Sequence, residues 1–187
     1  MAMVAGMNQE RTWNWLRAAG WTAAALLLAL PLVAMRFTSD VDWTLRDFVV
    51  MGALLGGSGL VLELATRKAP NLLHRLGVTA AVATSCLLVW VNLAVGFLGD
   101  EGNPANLMFL GVIGVAAMGA IVARSRPLAM AHAMLLAAGA QVIAGAVGFA
   151  AGWSSPGAQG IYEVVRGTSL FSALWLASAA LFWKAGR

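Results

Sequence analysis

The chain has 187 residues, of which 60% are hydrophobic and 11% are charged, and its mean hydropathy is +0.80. Soluble domains carry about a quarter charged residues, so this composition excludes both an ordinary soluble globule and a disordered chain. The formal net charge of +4 does not indicate a nucleic-acid partner, because the basic residues are scattered between apolar blocks rather than gathered on one face.

Six apolar stretches follow one another along the chain, each long enough to cross a bilayer as a helix. Hydrocarbon leaves only helices or closed barrels, and no stretch shows the alternation of a barrel strand. We therefore predict an all-α polytopic membrane protein, one bundle of six transmembrane helices over residues 1–187, with a cytoplasmic N-terminal segment 1–14. The predicted spans are Trp15–Met35, Phe48–Ala65, Leu73–Leu98, Pro104–Ala123, Leu128–Trp153 and Thr168–Trp183.

Lysine and arginine predict the orientation of these spans. Nine of the twelve lie in the two terminal segments and in the second and fourth connections, including Arg11, Lys68 and Lys184. The positive-inside rule then places both termini in the cytoplasm. Six of the eight acidic residues fall on the opposite side, in or near the first, third and fifth connections, where the three remaining arginines also lie.

The first and third of these connections contain a candidate outer-loop site. Thr44 and Asp47 have the spacing of a capping box, and Asn103 precedes a proline as a helix N-cap would. The acidic side chains could hold a divalent cation if the loops converge, but their spacing matches no EF-hand, and we assign no metal ligand. The candidate residues are Asp42, Trp43, Asp47, Asp100, Glu101, Asn103 and Asn106.

Small residues recur at four-residue spacing on two of the predicted helices, which favours close helix packing within the bundle or between copies. The second span carries Gly52 with Gly56, and Ala53 with Gly57; the fifth carries Ala140, Ala144, Gly148 and Gly152. A faint repeat relates Gly20–Ala24 to Gly77–Ala81 and suggests three hairpins, although so much alanine and glycine also produces such matches by chance.

Two amides lie within the predicted spans, Asn92 and Gln141. Each could tie two helices together by a hydrogen bond, or line a polar path for a solute. No charged residue or histidine lies near the predicted midplane, which disfavours proton relays and voltage sensors. Closer to the cytoplasmic end, Glu63 and Arg67 have the spacing of a helical ion pair.

The sequence predicts no catalytic site. Ser85 and Cys86 are the deep nucleophile candidates, but His74 lies about three turns away on the same helix, too far to act as a base. No phosphate loop, CxxC or HExxH motif is present, and we predict no cofactor. Ligation of a haem or metal by His74 and His132 is a remaining alternative.

Two segments stand out in the first and third connections: Met35–Phe48, continuing through Gly56–Gly59 to Glu63–Leu64, and Gly99–Met108. They resemble blocks found in an uncharacterised family of small multi-pass bacterial inner-membrane proteins. The resemblance implies a bacterial inner-membrane protein and points to the two outer loops, but it implies no activity.

From these features we predict a non-enzymatic integral membrane protein, an accessory or scaffold subunit of a homo-oligomer or a larger membrane complex. Its expected partners are the lipid bilayer and either itself or another membrane protein. The alternative is a small transporter or channel with an acidic outer mouth, whose path would pass Asn92 and Gln141.

Overall fold

The computed structural model describes residues 2–67 and 69–187. The side chains of residues 2–14 and 16 fall outside that description, and so do the topology signals assigned to Arg11 and Lys68. Six α-helices and one short 3-10 helix make up its regular structure, and no strand occurs within those ranges. The predicted all-α class is confirmed. The helices are α1 (Ala2–Ala34), α2 (Leu45–Arg67), α3 (Leu72–Ala94), α4 (Leu107–Ala123), α5 (Pro127–Ala150) and α6 (Gly157–Ala185), with the 3-10 helix at Pro104–Asn106.

All six helices are long and apolar enough to cross a membrane. Their ends lie within three residues of the predicted stretches except in α1, α3 and α6. The first helix begins at Ala2 rather than Trp15, so it includes most of the predicted N-terminal segment. The third helix stops at Ala94 because Gly96 takes a positive φ of 74°, so Phe97 and Leu98 belong to the following loop. The sixth helix begins at Gly157 rather than near Thr168, and it therefore includes Glu163 and Arg166, which the sequence had placed in a loop.

Residues 1–63 and 64–187 form two compact units, each described here by itself. In the first unit α1 and α2 run antiparallel. Three contacts follow one another along the pair: Arg17 donates to Glu63, the Trp21 ring covers Gly59, and Leu28 lies against Gly52. As the residue number rises along α1, that of its partner on α2 falls by the same amount, as expected of antiparallel helices. The prediction of a single domain is not tested by this division.

The second unit packs α5 and α3 against α6, and α4 against α5. The completely buried side chains Leu88, Phe109, Trp175 and Phe182 form its core. In an 18-residue apolar stretch of α5, 44% of the residues are buried. In the equivalent stretch of α2, no residue is buried.

Two glycines of α5 permit these helices to approach closely. A Cβ atom at Gly145 would overlap Thr168 of α6, and one at Gly148 would overlap Leu98, which follows α3. Because both approaches fall on one side of α5, any larger residue at either position forces the neighbouring element away.

Candidate functional site

The first group of candidate outer-loop residues forms the start of α2. The Asp47 carboxylate accepts hydrogen bonds from the Thr44 backbone N–H at 2.7 Å and from the Thr44 hydroxyl at 2.8 Å. The Trp43 ring meets Phe48 edge-on, with centroids 5.2 Å apart. These are the two parts of a helix N-terminus, a capping box and a hydrophobic staple. Asp42 is exposed beside them.

The second group lies in the loop of residues 95–106, which we name the amide loop. The Asn106 side chain is buried, and its Oδ1 accepts from the backbone N–H groups of Phe97 and Leu98, both at 2.9 Å. Its Nδ2 donates to the Asp100 carbonyl at 2.7 Å. One amide thus hydrogen-bonds three backbone groups of the loop itself, two N–H groups and one carbonyl, which lie outside any helix.

Asn103 connects the amide loop to the turn that follows α5. Its Oδ1 accepts from the Ala105 N–H at 3.0 Å, which caps the 3-10 helix. Its Nδ2 donates to the carbonyls of Leu98 at 2.9 Å and Trp153 at 3.0 Å. The side chains of Asp100 and Glu101 are exposed on the same loop. The asparagines therefore have an architectural role, and the carboxylates are left facing outward.

No metal centre is assembled by these acidic residues. Among the described side chains, those of residues 15, 17–67 and 69–187, no three His, Cys, Asp or Glu come together in a way that could hold an ion. Trp43 and Asp47 both lie at the start of α2, and Asn103 and Asn106 both lie in the amide loop. The two groups belong to different units.

The two intramembrane amides are both buried inside the second unit. Asn92 is 7% exposed, and its Nδ2 donates to the Leu88 carbonyl at 2.7 Å, one turn back on its own helix. Gln141 is 0% exposed, and neither atom of its amide has a hydrogen-bond partner among the described residues. An unpaired buried amide is destabilising by about 1–3 kcal/mol, so Gln141 is the most unusual polar group in the unit.

Three further buried polar atoms near Gln141 were not identified from the sequence. Thr168 Oγ1, Ser172 Oγ and Trp175 Nε1 also have no hydrogen-bond partner in the described chain, and their spacing places them on one face of α6. Gly145 of α5 lies against Thr168 of α6, and Leu128 of α5 lies against Gly186, just after α6. Because the two helices are antiparallel, four residues back along α5 and four residues forward along α6 bring Gln141 and Ser172 to the same height. We call Gln141, Thr168, Ser172 and Trp175 the buried polar cluster. Their helical spacing was the available sequence signal.

Three aromatic side chains pack together beside the amide loop. Phe97 packs against Phe109 with ring centroids 4.3 Å apart, and against Phe171 at 5.3 Å. All three rings are buried. These contacts hold the amide loop against α4 and α6.

The predicted packing stripes have mixed environments. On α5, Ala144 and Gly148 are buried and Ala140 is half-buried, whereas Gly152 lies past the helix end with φ of 72°, where it forms part of a turn. On α2, a Cβ at Gly52 would lie 3.7 Å from Leu28, and one at Gly56 would have no atom within 4 Å.

The nucleophile and histidine candidates are occupied by packing contacts. The Ser85 hydroxyl donates to the Ala81 carbonyl at 2.9 Å. His74 is buried with its ring edge-on to Phe182, at a centroid distance of 4.9 Å, and His132 packs similarly on Trp183 at 6.0 Å.

Six apolar helices define this chain as a multi-pass integral membrane protein. No protein-family model, curated protein or solved structure matches it.

Proposed function

We propose that this chain is a non-enzymatic accessory or scaffold subunit of a membrane assembly, and that α2 supplies the contact surface. The observation that carries the proposal is an exposed apolar stripe along one side of α2. It consists of Val50, Ala53, Gly57, Leu60 and Val61, and we call it the α2 stripe.

Two small residues at the centre of the α2 stripe favour contact with another helix. Ala53 and Gly57 are one turn apart and lie between bulky side chains, so they form a shallow groove. No heavy atom lies within 4 Å of the position that a Cβ would occupy at Gly57. In lipid, such a small-residue stripe lets a second helix approach closely, and van der Waals contact then drives association.

The proposed location is a bacterial inner membrane, with both termini in the cytoplasm. The orientation is supported by the concentration of lysine and arginine on one side of the predicted spans. The bacterial membrane is supported by the resemblance of the first and third connections to the family described above.

Cysteine crosslinking in native membranes tests the proposed assembly of copies. In a Cys86→Ser background, which removes the chain's single cysteine, we expect Gly57→Cys to form disulfide-linked dimers under mild oxidation. Ser58→Cys is the matched control, because it lies on a half-buried face one residue away. Equal crosslinking at both positions would contradict a specific α2 contact.

Purification in mild detergent tests assembly with a different protein. We expect either a homo-oligomer or a second protein in fixed stoichiometry, and we expect Gly57→Leu to release it because leucine fills the groove. A monomeric chain without any stoichiometric partner, combined with no crosslinking at Gly57→Cys, would overturn the proposal.

A transporter is the second candidate, and the unpartnered amide of Gln141 is the observation that favours it. A neutral polar solute that reached the buried polar cluster could satisfy this amide. The test is flux of small neutral solutes into liposomes, which Gln141→Leu should abolish and Gly57→Leu should leave unchanged. Absence of flux for the wild-type chain would reject this candidate.

A further inference from the structure

A groove of about 380 Å³ runs between the end of α3 and the first half of α6. Its walls include the apolar side chains of Val91 on α3, Val95 at the start of the amide loop and Leu170 on α6. Its only charged lining residues are Glu163 and Arg166, which lie three residues apart on α6. The groove therefore combines an apolar wall with one negative and one positive group.

The length of α6 indicates where those charges lie in a bilayer. Its 29 residues span about 43 Å at 1.5 Å per residue, whereas the hydrocarbon core is about 30 Å thick. Trp183, near the other end of α6, is partly exposed and is contacted by Arg187, as expected of an interfacial anchor. The turns containing Glu163 and Arg166 then reach the headgroup layer, and Leu170 lies one turn deeper.

The hydrogen bonds of Glu163 keep its charge available to a ligand. Ser155 Oγ donates to one carboxylate oxygen and Gln159 Nε2 donates to the other, each at 2.9 Å. Both donors are neutral, so they orient the carboxylate without cancelling its charge. Arg166 is exposed and, in the part of the chain that the structure describes, forms no ion pair with an acidic residue.

We propose that this groove binds one phospholipid with a primary-amine headgroup, of the phosphatidylethanolamine class. Arg166 binds the headgroup phosphate, Glu163 binds the ammonium group, and an acyl chain lies along Val91, Val95 and Leu170. Side chains three apart on a helix are about 5–6 Å apart at Cβ, which suits the adjacent opposite charges of this zwitterion. A phosphatidylglycerol headgroup would bring no cation to Glu163, and a choline headgroup has no N–H to donate to it.

Lipid binding to the purified full-length chain tests this site. Native mass spectrometry after exchange into lipid-free detergent would measure retention of added phosphatidylethanolamine, phosphatidylglycerol and phosphatidylcholine. We expect one phosphatidylethanolamine per chain, and about tenfold weaker binding in Arg166→Gln, equivalent to about 1.4 kcal/mol, because the charged contact to the phosphate is lost. Arg46→Gln, an exposed arginine outside the groove, is the matched control.

Two further variants separate headgroup recognition from loss of folding. Glu163→Gln should still bind lipid but lose the preference for phosphatidylethanolamine over phosphatidylglycerol. Val95→Trp should fill the groove and weaken binding of every lipid, whereas Leu176→Trp, at an exposed position of α6 outside the groove, should not.

Three results would overturn the proposal. The first is equal binding of the three lipids by the wild-type chain, and the second is unchanged binding in Arg166→Gln. The third is competition by soluble glycerophosphoethanolamine as strong as that by the intact lipid, because the apolar wall would then contribute nothing.

Discussion

Two buried amide side chains, those of Asn106 and Gln141, differ in their hydrogen bonding although they carry the same chemical group. Asn106 forms three hydrogen bonds to backbone groups of the amide loop, whereas Gln141 forms none within the described residues. In an apolar interior, a partnered amide organises the backbone and an unpartnered one is destabilising. Substitutions at the two positions should therefore have opposite effects.

Asn106→Ala should lower the free energy of unfolding by about 2–3 kcal/mol, because it leaves buried backbone groups of the amide loop unsatisfied. Asn106→Asp keeps the two accepted bonds but buries a carboxylate and turns one of its oxygens toward the Asp100 carbonyl, so it should be destabilising as well. Asp100→Asn, at an exposed side chain, is the control and should change stability by less than about 0.5 kcal/mol. Unfolding in mixed micelles would measure all three. Equal stability of Asn106→Ala and the wild type would contradict the architectural role of this amide.

Gln141→Met should leave stability unchanged or raise it by about 1 kcal/mol, because it replaces an unpaired amide with an apolar side chain of similar size. Ser178→Ala provides the comparison: the Ser178 hydroxyl donates to the Gly77 carbonyl at 2.8 Å, so its loss should lower stability by about 1 kcal/mol. Thermal unfolding in detergent measures both. A large loss on Gln141→Met would mean that the amide has a bound partner, such as a water molecule or a solute.

At the scale of the helices, the glycines of α2 and α5 differ in whether a neighbouring element lies against them. The glycines of α5 at 145 and 148 meet other elements directly, whereas Gly56 and Gly57 of α2 have open space where a Cβ would lie. Because Gly56, Gly57 and Gly148 each belong to a four-residue repeat of small residues, the spacing alone does not distinguish a packed glycine from an open one. The identity of the facing residue decides it.

Gly145→Ala should lower the free energy of unfolding by about 1–3 kcal/mol, since the new methyl group overlaps Thr168. Thr168→Ala in the same chain should recover part of that loss by removing the overlapping atoms. Gly139→Ala has no neighbour within 4 Å and should instead stabilise α5 by up to about 1 kcal/mol through helix propensity. Destabilisation of equal size at 139 and 145 would show that the close α5–α6 approach is not the cause.

The whole molecule combines one helical hairpin, in residues 1–63, with a more extensively packed unit in residues 64–187. Proposed assembly depends on the α2 stripe, and proposed lipid binding depends on the groove between α3 and α6. The two proposals use different surfaces, so the failure of one leaves the other standing.

Topology is the prediction that belongs to the whole chain. Alkaline phosphatase fused after Ser39 or Gly102 should be active, and the same enzyme fused after Lys68 should be inactive, if both termini are cytoplasmic. A green fluorescent protein fused at the same three positions should give the opposite pattern. Activity of alkaline phosphatase after Lys68, with none at the other two sites, would reverse the proposed orientation.

The sequence alone predicted the features that depend on neighbouring residues. Six spans followed from runs of apolar side chains, because a helix in lipid satisfies its backbone within the segment. The pairing of Thr44 with Asp47 followed from spacing, because a capping box closes within one turn. The start of α6 was not predicted from the sequence, because its first turns lie before the apolar run and include the charged residues Glu163 and Arg166.

Only the tertiary structure decided which distant groups meet. Asn103 reaches the Trp153 carbonyl, Arg17 donates to Glu63, and Gln141 lies level with Ser172. These relations depend on how each helix is rotated and shifted against its neighbour, which the hydropathy of a single helix does not specify. The local sequence thus determined what crosses the membrane, and packing between helices determined which polar groups are satisfied and which are left available.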